Sequence, residues 1–136
     1  MYRQQISVQT HRKGLVDITA EVQAIVKASG LQEAMCNVFL HHTSASVVIN
    51  ENADPNVLHD LEAWMAREVV DGDAIFKHRE EGPDDMSAHI RAALTATSIQ
   101  IPVIDGKLGL GVWQGIFLWE HRSAGNTRKL TVTLWD

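Results

Sequence analysis

The sequence has a single cysteine and no long apolar run among its 136 residues. One thiol, Cys36, cannot form an internal disulfide, which excludes the disulfide-stapled scaffolds typical of small secreted proteins. No apolar stretch approaches the roughly 20 residues of a membrane-spanning helix, and the N-terminal segment lacks the apolar core of a secretory signal. We therefore expect a cytoplasmic protein with no membrane partner, in which Cys36 is a small core residue.

The sequence also lacks an excess of basic residues. Its 12 Lys and Arg stand against 17 Asp and Glu, for a formal net charge of −5. A chain with this balance has no general attraction for nucleic acid, so we predict no nucleic-acid partner. Hydrophobic residues make up 45% of the chain and charged residues 21%, which is the balance of a folded protein. At this length we predict one domain, residues 1–136.

Apolar periodicity predicts helices inserted between runs of strands. Alternation predicts strands over residues 2–10, 34–51, 99–103, 110–122 and 129–135, with a hairpin turn at Asp105-Gly106. Helical spacing and capping signals predict helices over residues 19–29, 55–69 and 84–94. The apolar stripes of the last two helices predict these core-facing residues: Leu58, Leu61, Trp64, Met65, Val69, Met86, Ile90, Ala93 and Leu94. The pattern favours an α+β fold with a mostly antiparallel sheet.

A first candidate site lies at the start of the third predicted helix. Asp85 and His89 are four residues apart, so they share one helix face, and the preceding loop delivers His78. These three side chains can converge as ligands of a metal ion. Taken alone, the spacing favours a structural role instead, in which Asp85 supports the helix dipole and His89 makes a core hydrogen bond.

A second candidate is the segment HHTSAS at residues 41–46. On an extended strand His42 and Ser44 share one face and His41 and Thr43 the other, so one imidazole can enter a given pocket. We choose His42, because its face continues into polar residues. A strand end with solvated hydroxyls remains the alternative, and the absence of a nucleophile-elbow pattern argues against a serine hydrolase.

A third candidate is the segment GVWQGIFLWEHR at residues 111–122 and the basic turn after it. Strand periodicity places Gln114, Glu120 and Arg122 on one face, with His121 on the other. The turn adds Arg128 and a glycine, and guanidinium groups with backbone N–H groups can bind a phosphate or carboxylate. A solvated hairpin with exposed bases fits the same pattern.

Four segments together resemble the YjbQ-like family, which is often described as secondary thiamine-phosphate synthases. They are HTSAS at 42–46, INENADP at 49–55, EEGPDDMSAHI at 80–90 and LGVWQGIFLWEHR at 110–122. The resemblance covers nearly the whole chain. It implies an α+β fold with mostly antiparallel strands in two packed sheets and helices against them. It also implies a homotrimer with a polar, metal-binding cavity.

The resemblance and the residue patterns together assign three sets of site residues. The expected metal ligands are His42, His78 and His89. The expected catalytic residues are Asp85, Glu120, Ser44, Gln114 and His121. The expected ligand-binding or phosphate-binding residues are Arg122, Arg128, Thr43 and Asn50.

The activity implied by the resemblance couples an aminopyrimidine pyrophosphate to a thiazole phosphate, giving thiamine phosphate and pyrophosphate. Pyrophosphate chemistry usually uses magnesium, whereas histidine ligands favour zinc or another transition metal as the divalent cofactor. One alternative is therefore a metal-dependent hydrolase or lyase on an unidentified small phosphorylated or anionic substrate, with Glu120 or Asp85 as general base. A further alternative is a non-catalytic trimeric protein that binds a small anion or a metal.

Overall fold

Eight strands and three helices make up the chain, and the computed structural model describes all 136 residues. The elements in chain order are β1 (Tyr2–Gln9), β2 (Gly14–Asp17), α1 (Thr19–Ser29), β3 (Ala34–Leu40), β4 (Ala45–Glu51), α2 (Pro55–Glu68), α3 (Asp85–Leu94), β5 (Ser98–Ile104), β6 (Lys107–Leu108), β7 (Gln114–Glu120) and β8 (Thr127–Trp135). None of the helices combines the length and the apolar character that crossing a membrane requires.

The strands form two antiparallel sheets whose inner faces share one core. Five strands follow the order β1-β8-β3-β5-β6, and three follow the order β2-β7-β4. The core cluster of 16 buried apolar residues takes members from both sheets, such as Val38 and Leu130 from the first and Leu118 from the second. Helix α1 adds Val22 and Val26 to it. The predicted α+β fold with packed, mostly antiparallel sheets is confirmed.

Two helix boundaries and one turn follow the predicted signals. The Asp54 carboxylate accepts a hydrogen bond from the N–H of Asn56 at 2.9 Å and caps α2. Gly30 ends α1 with a positive φ of 71°. Asp105 and Gly106, with φ angles of 52° and 74°, join β5 to β6 as a hairpin turn of this kind requires.

The stretch 34–51, predicted as one strand, is two strands that belong to different sheets. β3 ends at Leu40 and pairs with β8 and β5, whereas β4 begins at Ala45 and pairs with β7. Residues 41–44, which we call the crossing segment, carry the chain from one sheet to the other. The single-strand prediction is wrong because no glycine or proline interrupts residues 34–51, so the sequence carries no signal that the chain changes its partner strand. The four-residue strand β2 was not predicted either, since it is too short to show an alternation.

The buried face of α3 carries three polar side chains beside two alanines. Ala93 and Leu94, which were predicted to face the core, are exposed, whereas Asp85, Ser87 and Arg91 are buried. The Ser87 hydroxyl donates to the preceding loop, and the guanidinium of Arg91 donates to a backbone carbonyl at 3.0 Å. This part of the prediction is wrong because the face that packs against the protein is the one whose polar side chains find hydrogen-bond partners there. The most apolar stripe of the helix is not that face.

Helix α2 also departs from its predicted apolar face. Trp64 is 51% exposed, although Met65 and Val69 are buried as expected. Between the helices and the three-stranded sheet, Glu62 accepts hydrogen bonds from Arg91 at 3.2 Å and from the indole of Trp119 at 3.0 Å. This second core is thus partly polar.

Candidate functional site

A polar pocket of about 550 Å³ opens beside the start of α3. Only two of its 13 lining residues are hydrophobic, so its chemistry suits a water-soluble, charged ligand. The lining residues that were predicted as site residues are His42, Thr43, Ser44, Asp85, His89, Arg122 and Arg128.

Three segments that are distant in sequence build this pocket: the crossing segment, the start of α3 and the turn between β7 and β8. The carbonyl of Ser44 accepts hydrogen bonds from the N–H of His121 at 3.3 Å and from the Arg128 guanidinium at 3.2 Å. The carbonyl of Thr43 accepts one from the imidazole of His89 at 2.9 Å. The backbone of the crossing segment therefore connects the helix side of the pocket to the strand side.

Three side chains form an imidazole–carboxylate cluster at the pocket: His78, Asp85 and His89. The Nε2 atoms of His78 and His89 lie 2.6 Å and 2.9 Å from the same carboxylate oxygen, Oδ2 of Asp85. One ligand atom from each residue lies within 4.8 Å of the others. The structure thus brings together two of the predicted metal ligands and the carboxylate predicted beside them.

The hydrogen bond to Thr43 determines which nitrogen of His89 can act as a ligand. A backbone carbonyl only accepts, so the Nδ1 atom of His89 carries a proton. In the neutral imidazole the Nε2 lone pair then faces the Asp85 carboxylate, and these two electron-rich atoms repel unless a cation or a second proton lies between them. A metal-binding histidine usually donates its other N–H to a carbonyl or carboxylate. The cluster fits a metal ion on these grounds.

The second oxygen of Asp85 is held by Arg122, whose Nη1 donates to Oδ1 at 2.6 Å. The other guanidinium nitrogens of Arg122 donate to the Asp84 carboxylate and to the carbonyl of Glu81. Burial acts to raise the pKa of Asp85, but the His78 hydrogen bond and nearby positive charges keep that pKa below its usual value. Arg122 therefore orients a cluster member, and three of its five N–H donors are already used within the chain.

Glu120 lies behind the pocket in a buried ion pair with Arg128. The Nε of Arg128 donates to Oε1 at 2.7 Å, and its Nη2 donates to Oε2. The hydroxyl of Thr10 also donates to Oε1, and the backbone N–H of Arg122 donates to Oε2. Burial acts to raise the pKa of Glu120, but these donors keep it below its usual value. Glu120 does not line the pocket, so it is not placed to exchange a proton with a substrate there.

His42 lines the pocket but does not belong to the imidazole–carboxylate cluster. Its Nε2 accepts a hydrogen bond from the backbone N–H of Lys129 at 2.8 Å, so that lone pair is already used. Burial and the charge of Arg128 lower the pKa of His42. The structure therefore brings His42 to the pocket but not into the group formed by His78, Asp85 and His89.

Gln114 and Asn50 are not brought to the pocket. Both sit at the end of the β4–β7 pair opposite to Glu120, and Gln114 is six residues, or about 20 Å, away from it. The side chain of Gln114 accepts from the N–H of Gly111 at 2.7 Å, and Asn50 accepts from its neighbour Glu51 at 2.7 Å. Both side chains serve local turns, and the strand pattern could not show this because it does not reveal which strand end faces the site.

His121 faces the second core instead of the pocket. Its Nε2 lies 2.8 Å from the hydroxyl of Ser46, and its Nδ1 is buried without a hydrogen-bond partner. Burial, together with the charge of Arg91, lowers the pKa of His121 to about 3. This histidine is therefore neutral at physiological pH.

Two titratable residues that line the pocket, Glu81 and His41, were not among the predicted site residues. The Glu81 carboxylate lies 3.8 Å from Nε2 of His78 and remains largely exposed. Its position, three residues after His78 and four before Asp85, was the available signal. His41 was predicted to lie on the opposite strand face from His42, but the chain is not a strand at this point. His41 therefore lines the pocket as well, and its Nε2 lies 2.7 Å from the hydroxyl of Thr131.

The fold and the pocket define the class of protein first: a two-sheet α+β protein with an imidazole–carboxylate cluster in a polar pocket. The family described as UPF0047 protein YjbQ-like matches residues 4–136, and the chain belongs to this family. The resemblance noted in the sequence is therefore confirmed.

Several relatives cover nearly the whole chain. The UPF0047 protein sll1880 of Synechocystis sp. is 49% identical over 125 residues, which are 92% of this chain and 85% of the relative. The UPF0047 protein YjbQ of Escherichia coli O157:H7 is 36% identical over 134 residues, 98% and 96% of the two chains. A YjbQ/UPF0047 family protein of Clostridium acetobutylicum has a solved structure that matches with a TM-score of 0.89 and 36% identity, covering 97% of this chain and 99% of that one.

Proposed function

We propose that this protein is a metal-dependent enzyme that acts on a small phosphorylated or other anionic substrate in the pocket. The observation that carries the proposal is the convergence of the Nε2 atoms of His78 and His89 on Oδ2 of Asp85. Two imidazoles and one carboxylate suit zinc or another transition metal better than magnesium. Three protein ligands also leave a coordination position open, as catalytic sites require.

A divalent ion held by these residues would supply Lewis-acid activation of a substrate oxygen or of water. Proton transfer falls to Glu81, because its carboxylate lines the pocket, is largely exposed and has only a long contact of 3.8 Å with Nε2 of His78. Asp85 and Glu120 are poor candidates for general base, since Asp85 would be a ligand of this ion and both oxygens of Glu120 accept hydrogen bonds from Arg128. This arrangement favours hydrolase or lyase chemistry.

The thiamine-phosphate synthase activity implied by the resemblance is the second candidate. The pocket volume of about 550 Å³ falls within the range of small-molecule sites and is compatible with a two-ring product. Against it stands the histidine-rich ligand set, because magnesium prefers oxygen ligands. We also propose a cytoplasmic homotrimer, on the grounds of the lone reduced cysteine and of the family resemblance.

Metal content tests the proposal directly. We would measure metals by mass spectrometry in the native protein, in the double variant His78→Ala/His89→Ala and in the control His59→Ala, which alters an exposed histidine on α2. We expect a transition metal near one equivalent per chain in the native protein and the control, and its loss in a folded double variant. A native protein that takes up no metal, even from added zinc or nickel, would contradict the proposal.

Turnover then separates the candidate functions. The metal-loaded protein would be offered small phosphate esters and, separately, the two thiamine-phosphate precursors. Hydrolysis or elimination that is lost in Glu81→Gln supports the first candidate, and formation of thiamine phosphate supports the second. Tight metal binding without turnover of any of these substrates would favour the non-catalytic binding protein.

A further inference from the structure

Three polar groups that line the pocket make no hydrogen bond within the chain. They are Nη1 of Arg128, Nδ1 of His42 and the hydroxyl of Ser44. None of the three is among the polar atoms that are buried without a partner, so each keeps some exposure, and all three residues line the pocket. Unpaired donors that face one cavity are the groups available to bind a ligand.

Arg128 is held rigidly, although one of its nitrogens is free. The side chain is only 1% exposed, with Nε and Nη2 bound to Glu120 and Nη2 also bound to the Ser44 carbonyl. The ion pair compensates the buried charge of the guanidinium and prevents it from rotating. The remaining Nη1 is therefore a donor with a predetermined direction, which lowers the cost of binding an anion.

The donor role of His42 follows from its other ring nitrogen. Because Nε2 accepts a hydrogen bond from the Lys129 N–H, the proton of the neutral imidazole resides on Nδ1. The lowered pKa of His42 keeps the ring in this neutral form at pH 7. Its Nδ1 thus presents one N–H group, as the Ser44 hydroxyl presents one O–H group.

We propose that Arg128 Nη1, His42 Nδ1 and the Ser44 hydroxyl form an anion subsite that binds the phosphate group of the substrate. The subsite rests on the proposed function and specifies its substrate class. Thr43 binds the cluster residue His89 and Ser44 binds Arg128, and these adjacent residues have Cα atoms about 3.8 Å apart. Because one pocket of about 550 Å³ contains both sites, we expect a small substrate that places its phosphate in the subsite while another part reaches the metal cluster.

Phosphate titration of metal-free protein tests the subsite separately from the metal site. After removal of metals with a chelator, the native protein would be titrated with inorganic phosphate, and binding followed by calorimetry and by the width of the ³¹P resonance. We expect Arg128→Lys, which keeps the charge but loses Nη1, to weaken binding by about tenfold or more. Ser44→Ala should weaken it by about threefold to tenfold.

Two comparison variants separate the subsite from other effects. Lys129→Gln removes an exposed positive charge next to Arg128 but keeps the backbone N–H that orients His42, so phosphate affinity should stay within about twofold of native. His89→Ala should lose metal and keep phosphate binding. A folded His89→Ala protein that fails to bind phosphate would overturn the separation of the two sites.

The subsite itself is overturned by either of two results. One is a folded, metal-free native protein that binds no phosphate. The other is native affinity in Ser44→Ala, which leaves the Ser44 carbonyl and its contact with Arg128 in place. The serine variant decides the matter if Arg128→Lys does not fold. If the native protein binds metal normally but binds no phosphate, the subsite is rejected and the metal proposal stands.

Discussion

His89 donates a hydrogen bond from Nδ1 to the carbonyl of Thr43 across 2.9 Å. One partner lies on α3 and the other on the crossing segment between the two sheets. Because this bond determines the tautomer of His89, it directs the Nε2 lone pair toward the Asp85 carboxylate. The proposed metal site therefore depends on the path of the chain between two strands as well as on the ligands themselves.

The first prediction concerns which histidines retain metal. His89→Ala removes a ligand atom of the cluster, whereas His42→Ala removes a side chain whose Nε2 already accepts from the backbone. We expect metal content after dialysis to fall to background in the first variant and to remain near native in the second. The reverse result would place the metal on the strand side of the pocket.

The second prediction concerns the positioning of Asp85. Arg122→Gln removes the guanidinium that donates to Oδ1 of Asp85 at 2.6 Å. Loss of such a supporting contact typically lowers metal affinity by about 10-fold to 100-fold. Competition with a fluorescent zinc chelator measures the change, and Arg67→Gln on the exposed side of α2 is the charge-matched control. Equal affinities in the two variants would show that Asp85 needs no orientation by Arg122.

The third prediction concerns the buried pair of Glu120 and Arg128. Glu120→Gln leaves the Arg128 charge without its partner in a buried site, and we expect a loss of about 3–5 kcal/mol in the free energy of unfolding. The double variant Glu120→Gln/Arg128→Gln removes both charges and should recover part of this loss. Urea denaturation measures both values, and a double variant less stable than the single one would contradict the explanation.

The fourth prediction is a pH dependence that originates at His121. Its pKa is about 3 in the folded protein, against a usual value near 6.5, so the unfolded chain binds the extra proton more readily. The stabilisation is therefore complete above pH 6.5 and declines as pH falls toward 3. Between pH 7 and pH 5 the loss from this group is about 2 kcal/mol.

Urea denaturation at the two pH values checks this dependence. His121→Gln should remove most of the difference, whereas the control His59→Gln, which alters an exposed histidine, should keep it. Asp85 and Glu120, whose pKa values are lowered, change the free energy of unfolding mainly below pH 5. An unchanged slope in His121→Gln would assign the pH dependence to another group.

The fifth prediction concerns the single thiol. Cys36 is fully buried, and burial raises its pKa to about 11. Because the thiolate is the reactive form, iodoacetamide should modify the native protein at a negligible rate and the urea-unfolded protein rapidly. Mass spectrometry follows the reaction. Rapid labelling without denaturant would show that β3 opens locally.

The structure brings predicted site residues together where they lie close together along the chain. His78, Asp85 and His89 span a loop and one helical turn, so their spacing contains most of the geometry. Glu81 lies in the same stretch and could have been included on that signal. The strand residues Gln114 and Asn50 lie at the end of their sheet that is remote from the pocket, and alternation could not show this, because it defines a face and not which end of the strand reaches the pocket.

The sequence by itself determined the α+β class, the caps of α1 and α2 and the hairpin turn at Asp105. These features depend on residues within a few positions of each other, so local rules describe them. Only the tertiary structure decided that the chain changes sheets between Leu40 and Ala45. It also decided that every guanidinium nitrogen of Arg122 donates within the chain, whereas Nη1 of Arg128 does not. These results depend on contacts such as that between Arg128 and Ser44, which are 84 positions apart. No local pattern contains such a contact, because it arises only when the two sheets pack.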